Sequence, residues 1–264
     1  MARPLTTAEA APWVERWEIQ QRLYATARTE RFDVVADVVA HACHGSRRPV
    51  IADLGCGPGS LAARLAERLP HARVLGVDQD PFLLALGRAV HGRVVTFVDA
   101  RIGQGPWTSE VTEGGRLDAV VSTTALHYLP ADELATVYEQ VHELLRPGGV
   151  LVNADHLFQD DEPVRELAAA VGRRHTTRHT ELPSEDWAAW WAAAAAHDGF
   201  AELLAERSRR GTDPGGDNGL GAREHAELMR KAGFAAVGTV WQCGHSVVLT
   251  AVRGGASARG TDVM

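Results

Sequence analysis

The stretch from residue 50 to residue 69 constrains the fold of this chain more than any other. The apolar run VIADL (50–54) leads into the glycine-rich GCGPG (55–59), and a helical pattern, SLAARLAERL (60–69), follows. This order predicts a buried strand, a tight turn and a helix N-terminus, the opening of a nucleotide-binding βαβ unit. Glycines adopt backbone conformations closed to other residues, and the helix start leaves free N–H groups at the same place. We therefore predict a ligand site at this turn.

The spacing within the turn separates two classes of ligand. Dinucleotide-binding enzymes use G-x-G-x-x-G, whose last glycine falls one residue later than Gly59 does. Asp53 lies two residues before Gly55, where a carboxylate would repel a pyrophosphate but suits a ligand that carries an ammonium group. The spacing therefore argues against a nicotinamide-dependent oxidoreductase. A glycine turn with no ligand is the remaining alternative.

The pattern Asp-x-Gly-x-Gly-x-Gly at residues 53–59 resembles the first motif of the class I S-adenosylmethionine-dependent methyltransferases of the small-molecule type. In that family the loop holds the methionine part of the cofactor, which carries an amino group and a sulfonium. The resemblance implies S-adenosyl-L-methionine as cofactor and S-adenosyl-L-homocysteine as product. The loop residues that it assigns to the cofactor are Asp53, Gly55, Cys56, Gly57 and Gly59.

Two acids beyond the loop extend this predicted cofactor site. Asp78 ends a predicted strand (73–77) about 20 residues past the glycines, where a carboxylate accepts hydrogen bonds from ribose hydroxyls. Asp99 follows the next strand (94–98), where the resemblance implies an acid that takes the adenine amino group. The predicted cofactor residues also include Gln79, Ala100 and Thr123.

The alternation of strand and helix patterns over residues 50–155 predicts the fold class, α/β, with a doubly wound, mostly parallel, seven-stranded Rossmann-like sheet. The pattern at 103–116 predicts a loop, and 234–252 predicts a closing hairpin whose last strand is antiparallel. The predicted domains are an N-terminal helical cap (1–44), the cofactor-binding core (45–156), a helical insertion that covers the acceptor site as a lid (157–221), the C-terminal helix and hairpin of the core (222–253) and a disordered tail (254–264).

Two histidines mark the predicted acceptor end. His127 and His156 each stand just beyond a predicted strand end, at the edge of α/β sheets where ligands bind. Methyl transfer from a sulfonium is an in-line displacement that depends on alignment, and a hydroxyl acceptor benefits from a base such as imidazole. We predict that both are catalytic. The alternative for His127 is a hydrogen bond to the backbone of its own turn.

Aromatic and basic residues outside the core are the predicted substrate contacts. In this family N-terminal helices often cover the cofactor pocket, which would bring Tyr24, Arg28 and Arg31 to the cofactor or the acceptor. Trp187 and Trp191 share a helical stripe with Trp190 among alanines. The alternatives are arginines in water and a tryptophan stripe that packs in the core or in a dimer contact.

These features predict a methyltransferase for a small-molecule acceptor, with an oxygen as the acceptor atom and a carboxylate or a nitrogen as alternatives. A peptide or protein methyltransferase and a non-catalytic S-adenosylmethionine-binding protein remain open. The sequence names neither the acceptor nor its reacting atom.

Composition excludes several partners. A net charge of −7 argues against nucleic acid, and no apolar run approaches the ~18 residues of a membrane span. We therefore expect a cytoplasmic monomer or homodimer without nucleic-acid or membrane partners. We expect no metal, because the fourth strand lacks the carboxylate of the metal-dependent catechol type and His175 and His179 have no third ligand beside them.

Overall fold

A computed structural model describes residues 3–112, 115–179, 185–212 and 216–255 of the chain. Seven strands in these ranges form one sheet with the order β3-β2-β1-β4-β5-β7-β6. β7 runs opposite to the other six and pairs antiparallel with β5 and β6, which confirms the predicted mostly parallel sheet. The bounds are β1 Val50–Leu54, β2 Arg73–Asp78, β3 Val95–Asp99, β4 Leu117–Thr123, β5 Leu145–His156, β6 Ala236–Cys243 and β7 Ser246–Val252.

Helices cover both faces of this sheet. The α-helices are α1 Thr7–Gln20, α2 Arg28–Ala42, α3 Ser60–Arg68, α4 Pro81–His91, α5 Trp107–Val111, α6 Ala131–Leu144, α7 Glu162–His179, α8 Trp187–Ala195, α9 Ala201–Arg210 and α10 Ala222–Lys231. Short 3-10 turns lie at Gln21–Leu23, Leu126–Tyr128 and Asp198–Phe200.

Strand alternation builds a core on each face. Successive residues of a strand point to opposite sides of the sheet, so Ile51 packs with α2 and α3 whereas Ala52 and Leu54 pack with α5, α6 and α10. The strand order reverses between β1 and β4, and in such sheets ligands bind outside the carboxyl ends of the strands at the reversal. The topology therefore places a crevice beside the glycine turn after β1.

A third apolar cluster joins the N-terminal helices to the insertion. Trp13 of α1 meets Trp190 of α8 edge to face, with ring centroids 5.8 Å apart. Phe82 of α4 contacts Phe200, with centroids 4.9 Å apart. Trp190 is thus a core residue, as one alternative for the tryptophan stripe predicts, while Trp191 packs against the same cluster only partly buried.

The structure departs from the sequence-based prediction in two places. The predicted loop at 103–116 contains helix α5, because Trp107 is fully buried and its indole N–H donates to Gln140 Oε1 (2.9 Å). Within the helical insertion predicted at 157–221, α8 and α9 are separated by a break near Gly199, a residue that disfavours a helix interior. Most of the predicted disordered tail, residues 256–264, lies outside the described residues. No helix in the described ranges is long and apolar enough to cross a bilayer.

Candidate active site

A cavity of about 760 Å³ opens at the carboxyl ends of the central strands. Its floor comes from the glycine turn and from the segments after β2, β3 and β4, and its walls come from the N-terminal helices and the insertion. Thirteen of the sixteen predicted site residues line it: Tyr24, Arg28, Gly55, Cys56, Gly57, Asp78, Gln79, Ala100, Thr123, His127, His156, Trp187 and Trp191. The structure therefore brings the two predicted ends of the site into one space.

The glycine turn has the backbone that its sequence predicts. Gly55, Gly57 and Gly59 all have positive φ angles (69°, 54° and 92°). A Cβ on Gly55 would lie 2.3 Å from the Cβ of Ala125, and one on Gly59 would lie 2.7 Å from the Phe97 ring. Both positions therefore exclude a side chain on steric as well as conformational grounds.

Asp78 combines a structural contact with access to the cavity. Its Oδ2 accepts the N–H of Gly57 (2.7 Å) and its Oδ1 accepts the N–H of Asp80 (2.9 Å). Burial nevertheless raises the pKa of Asp78 to about 6. Each carboxylate oxygen keeps a second lone pair, so Asp78 can hold the glycine turn and still accept hydrogen bonds from a ligand.

Three predicted cofactor residues do not line the cavity: Asp53, Gly59 and Asp99. Asp53 shares the strand face of Ile51 beneath α3, where its Oδ2 accepts the N–H of Ala62 (3.1 Å). Its Oδ1 has no hydrogen-bond partner, and burial raises the pKa of Asp53 to about 8. The carboxylate of Asp99 is occupied by Arg210 of α9, with an N–O distance of 2.6 Å. Asp53 thus lies on the strand face beneath α3, and Asp99 is paired with an arginine that is distant in sequence.

The acceptor end is built around a buried carboxylate that the prediction omits. His127 Nδ1, in the 3-10 turn after β4, lies 2.9 Å from each oxygen of Asp155 on β5. Although burial alone would raise the pKa of Asp155, the hydrogen bond and charge of His127, with His156 and Arg31, hold it below its ordinary value. The sequence contains one indication that Asp155 belongs to the site: it stands next to the predicted His156, at the end of a strand.

His156 completes a compact group with these two residues. Its ring centroid lies 4.4 Å from that of His127, and its Nε2 lies 3.1 Å from Asp217 Oδ2. One ligand atom each from His127, Asp155 and His156 lies within 4.8 Å of the others, so the group could hold a metal ion.

Arg31 of α2 ties the strand ends beside this group together. It is 1% exposed, and its guanidinium donates to Thr123 Oγ1 (3.0 Å) and Ser246 Oγ (3.3 Å). Burial lowers the pKa of Arg31 to about 10, so it stays charged at neutral pH. A buried positive charge therefore lies close to Asp155.

The walls of the acceptor end come from separate segments. The backbone N–H of Trp187 donates to the Tyr24 hydroxyl (3.0 Å), which joins the insertion to the N-terminal helices. Arg207 stacks over the Trp191 ring at 4.1 Å from its centroid. Arg28 reaches the cavity with its guanidinium already paired to Glu18, at 2.5 Å.

A family model and several curated proteins match part of this chain. A family model described as "Methyltransferase domain" matches residues 51–149. A trans-aconitate 2-methyltransferase of Methylobacterium radiotolerans is 33% identical over 57% of this chain and 55% of its own length. One from Azoarcus sp. is 29% identical over 81% of this chain and 83% of its own. This chain therefore spans about half the length of the Methylobacterium radiotolerans protein.

The fold is found in solved methyltransferase structures. An O-methyltransferase family protein from Burkholderia thailandensis has a TM-score of 0.52 and 23% identity, over 85% of this chain and 56% of that one. The family match shows a methyltransferase domain over residues 51–149, and the sheet order and this likeness show the fold of such proteins.

Proposed function

We propose that the protein transfers a methyl group from S-adenosylmethionine to a hydroxyl oxygen of a small molecule. The observation that carries this proposal is the Asp155–His127 pair at the acceptor end of the cavity. A carboxylate that accepts Nδ1–H fixes the imidazole tautomer and leaves Nε2 free to accept a proton. A hydroxyl acceptor is the kind of acceptor that gains from such a base.

The residues of the glycine turn suit the cofactor of this family. The turn keeps its backbone free of side chains at Gly55 and Gly57, and Asp78 presents a carboxylate with spare acceptor capacity beside it. We assign the methionine part to Gly55, Cys56 and Gly57, the ribose to Asp78 and Gln79, and the surroundings of the adenine and the methyl group to Ala100 and Thr123. We assign Asp53 and Gly59 to support of the turn.

The reaction needs alignment and a dry site more than further chemical groups. When bound, S-adenosylmethionine supplies the methyl group from a positively charged sulfonium. His127 orients the acceptor hydroxyl and receives its proton at Nε2, while Asp155 positions the ring and stabilises the imidazolium that forms. Aromatic walls from Tyr24, Trp187 and Trp191 would exclude water, which favours the loss of charge during transfer.

A carboxylate acceptor is the second candidate, because the relatives are named trans-aconitate 2-methyltransferases. A carboxylate needs a cation and no base. Arg28 and Arg207 are cations on the acceptor wall, and Glu18 and Asp80 already pair with them. The anions Asp155 and Asp217 nearby would oppose a negatively charged acceptor. These contacts favour the hydroxyl.

The walls around the site support a small acceptor over a peptide or protein. Residues 157–221 and the first helices contribute Tyr24, Trp187, Trp191 and Asp217 to the same cavity wall. We propose that this insertion acts as a lid that opens for substrate and closes for transfer. A peptide substrate would require an open groove instead.

Labelled methyl transfer tests the proposal. The protein is incubated with S-adenosylmethionine carrying a labelled methyl group and with separate panels of phenols, aliphatic alcohols and small carboxylic acids that include trans-aconitate. Mild alkali then distinguishes the products, because a methyl ester releases its label as methanol and a methyl ether does not. We expect alkali-stable label from a hydroxyl panel. Alkali-labile label from the acids alone would replace the hydroxyl proposal with the carboxylate one.

A further inference from the structure

Two imidazoles and one carboxylate converge where β5 ends beside the turn after β4. His127 Nδ1 lies 2.9 Å from Asp155 Oδ1, and His156 Nδ1 lies 3.4 Å from the same oxygen. In a tetrahedral zinc site with metal–ligand distances near 2.0–2.2 Å, neighbouring donor atoms are roughly 3.3–3.6 Å apart. The His156 distance matches this spacing, the His127 distance is a little shorter, and all three residues offer a ligand atom within 4.8 Å of the others.

His156 is oriented as a metal-binding histidine would be. Its Nδ1 is buried and forms no hydrogen bond, although it points toward Asp155. Its other nitrogen, Nε2, lies 3.1 Å from Asp217 Oδ2. Histidines that bind metals usually donate their second N–H to a carboxylate, which fixes the ring and leaves the first nitrogen as ligand. Asp217 supplies that contact here.

The donor set and its location suit one class of ion. Two imidazoles and a carboxylate are ligands that zinc accepts readily. His127 and His156 both border the cavity, so a water molecule can reach the fourth position. Asp155 is fully buried, which shields the cluster from bulk solvent on its other side.

We propose that His127, Asp155 and His156 bind one zinc-type divalent ion, held in place by Asp217. The proposal departs from the expectation of a metal-free protein drawn from the sequence. On binding, the Nδ1–H bond of His127 breaks, the nitrogen lone pair forms the bond to the metal, and a proton is taken up at Nε2 through solvent. The ring stays neutral overall, and no oxidation or reduction occurs.

Metal binding would switch off the proposed base. With its proton on Nε2, His127 becomes a donor toward the cavity and can no longer accept a proton from the acceptor. This consequence rests on the proposed function, whereas the binding itself does not. A zinc titration of the protein without substrate therefore tests the site independently of any activity.

The experiment measures Zn²⁺ affinity and stoichiometry on the metal-stripped protein, in competition with a chromophoric chelator. Co²⁺ then replaces Zn²⁺, because the visible absorption of Co²⁺ reports tetrahedral nitrogen and oxygen ligands. The variants are His156→Ala and Asp217→Asn. His175→Ala is the matched control, since His175 is a partly buried histidine on α7, next to His179 with ring centroids 4.7 Å apart and outside the cavity.

We expect one ion per chain in the wild type and in His175→Ala. Affinity should fall at least about tenfold in His156→Ala and roughly 10- to 100-fold in Asp217→Asn, which keeps all three ligands. If His156→Ala does not fold by its melting curve, Asp217→Asn decides. The absence of stoichiometric binding, unchanged affinity in the variant that decides, or loss of binding in His175→Ala would each overturn the proposal.

Discussion

Two fully buried carboxylates at strand ends lie in opposite electrostatic surroundings. Asp53 on β1 has one backbone donor and an oxygen without a partner, and burial raises its pKa to about 8. Asp155 on β5 is equally buried, yet the imidazole of His127 together with His156 and Arg31 overcomes that burial and lowers its pKa. Neighbouring cations, and not the degree of burial, decide which carboxylate stays charged.

The two ends of the cavity also differ in the groups that build them. The cofactor end is largely backbone: Asp78 accepts an N–H of the glycine turn, and Asp53 accepts an N–H of helix α3, which follows the turn. The acceptor end consists of side chains from segments far apart in sequence, which hold Asp155 and His127 together. Substitutions at the two ends should therefore affect different steps.

The largest expected effect is that of His127→Ala on turnover. Loss of the base should lower the rate of methyl transfer roughly 10²–10⁴-fold, while the affinity for S-adenosylhomocysteine stays within about twofold of the wild type. Initial rates and calorimetric titration measure the two quantities. His71→Ala, an exposed histidine in the turn before β2, is the control and should change neither. Comparable losses in rate and cofactor affinity would place His127 at the cofactor end.

Arg31→Met should cause the largest loss of stability at the acceptor end. Removal of a buried cation beside Asp155 leaves a buried negative charge less compensated, which typically costs about 3–5 kcal/mol of the free energy of unfolding. Arg31→Lys keeps the charge and should lose less. Urea denaturation of the three proteins measures the difference. Equal stability of Arg31→Met and wild type would remove Arg31 from the explanation of the charge on Asp155.

Asp78→Ala should weaken cofactor binding without a comparable effect on the chemical step. Loss of charged hydrogen bonds should cost about 1.5–3 kcal/mol, or roughly ten- to a hundredfold in affinity. Asp78→Asn is the matched variant, because its amide oxygen can still accept the N–H of Gly57. If titration finds unchanged affinity in Asp78→Ala, the assignment of the ribose to Asp78 is wrong.

The smallest expected effect is the pH dependence of Asp53→Asn. The pKa of Asp53 is about 8 in the folded protein and near 4 in the unfolded chain, so between these values the folded state binds more protons. Stability of the wild type should therefore fall as pH rises through this window. The melting temperature of Asp53→Asn relative to wild type should increase by a few degrees from pH 5 to pH 8. A difference that does not change with pH would contradict the raised pKa.

Local pattern was sufficient to predict the sheet and the cofactor turn. The run 50–69 has its own periodicity and its own glycines, and its strand, turn and helix follow from residues that are neighbours in sequence. The prediction that Asp53 contacts the ligand used the position of this residue in the sequence and ignored the face of the strand on which it lies. Ile51 and Asp53 share the face that packs beneath α3, so the side chain points away from the cavity.

Long-range contacts set the rest of the site. Asp155 meets His127 because β4 pairs with β5 in a register that joins Thr123 to Ala154, and no local pattern contains that register. Trp190 packs into the core because Trp13 of α1 comes against it. Asp99 is occupied because Arg210, far along the chain, reaches it from α9.

The most direct test of the account is a double-mutant cycle on turnover with His127→Ala, Asp155→Asn and the two combined. If Asp155 acts only by positioning His127, the double variant should be no slower than His127→Ala alone, as expected for residues that work as one unit. Cofactor affinity should stay at the wild-type level in all three proteins. If the loss of turnover in the double variant equals the product of the two single losses, Asp155 and His127 act independently, which would contradict the account.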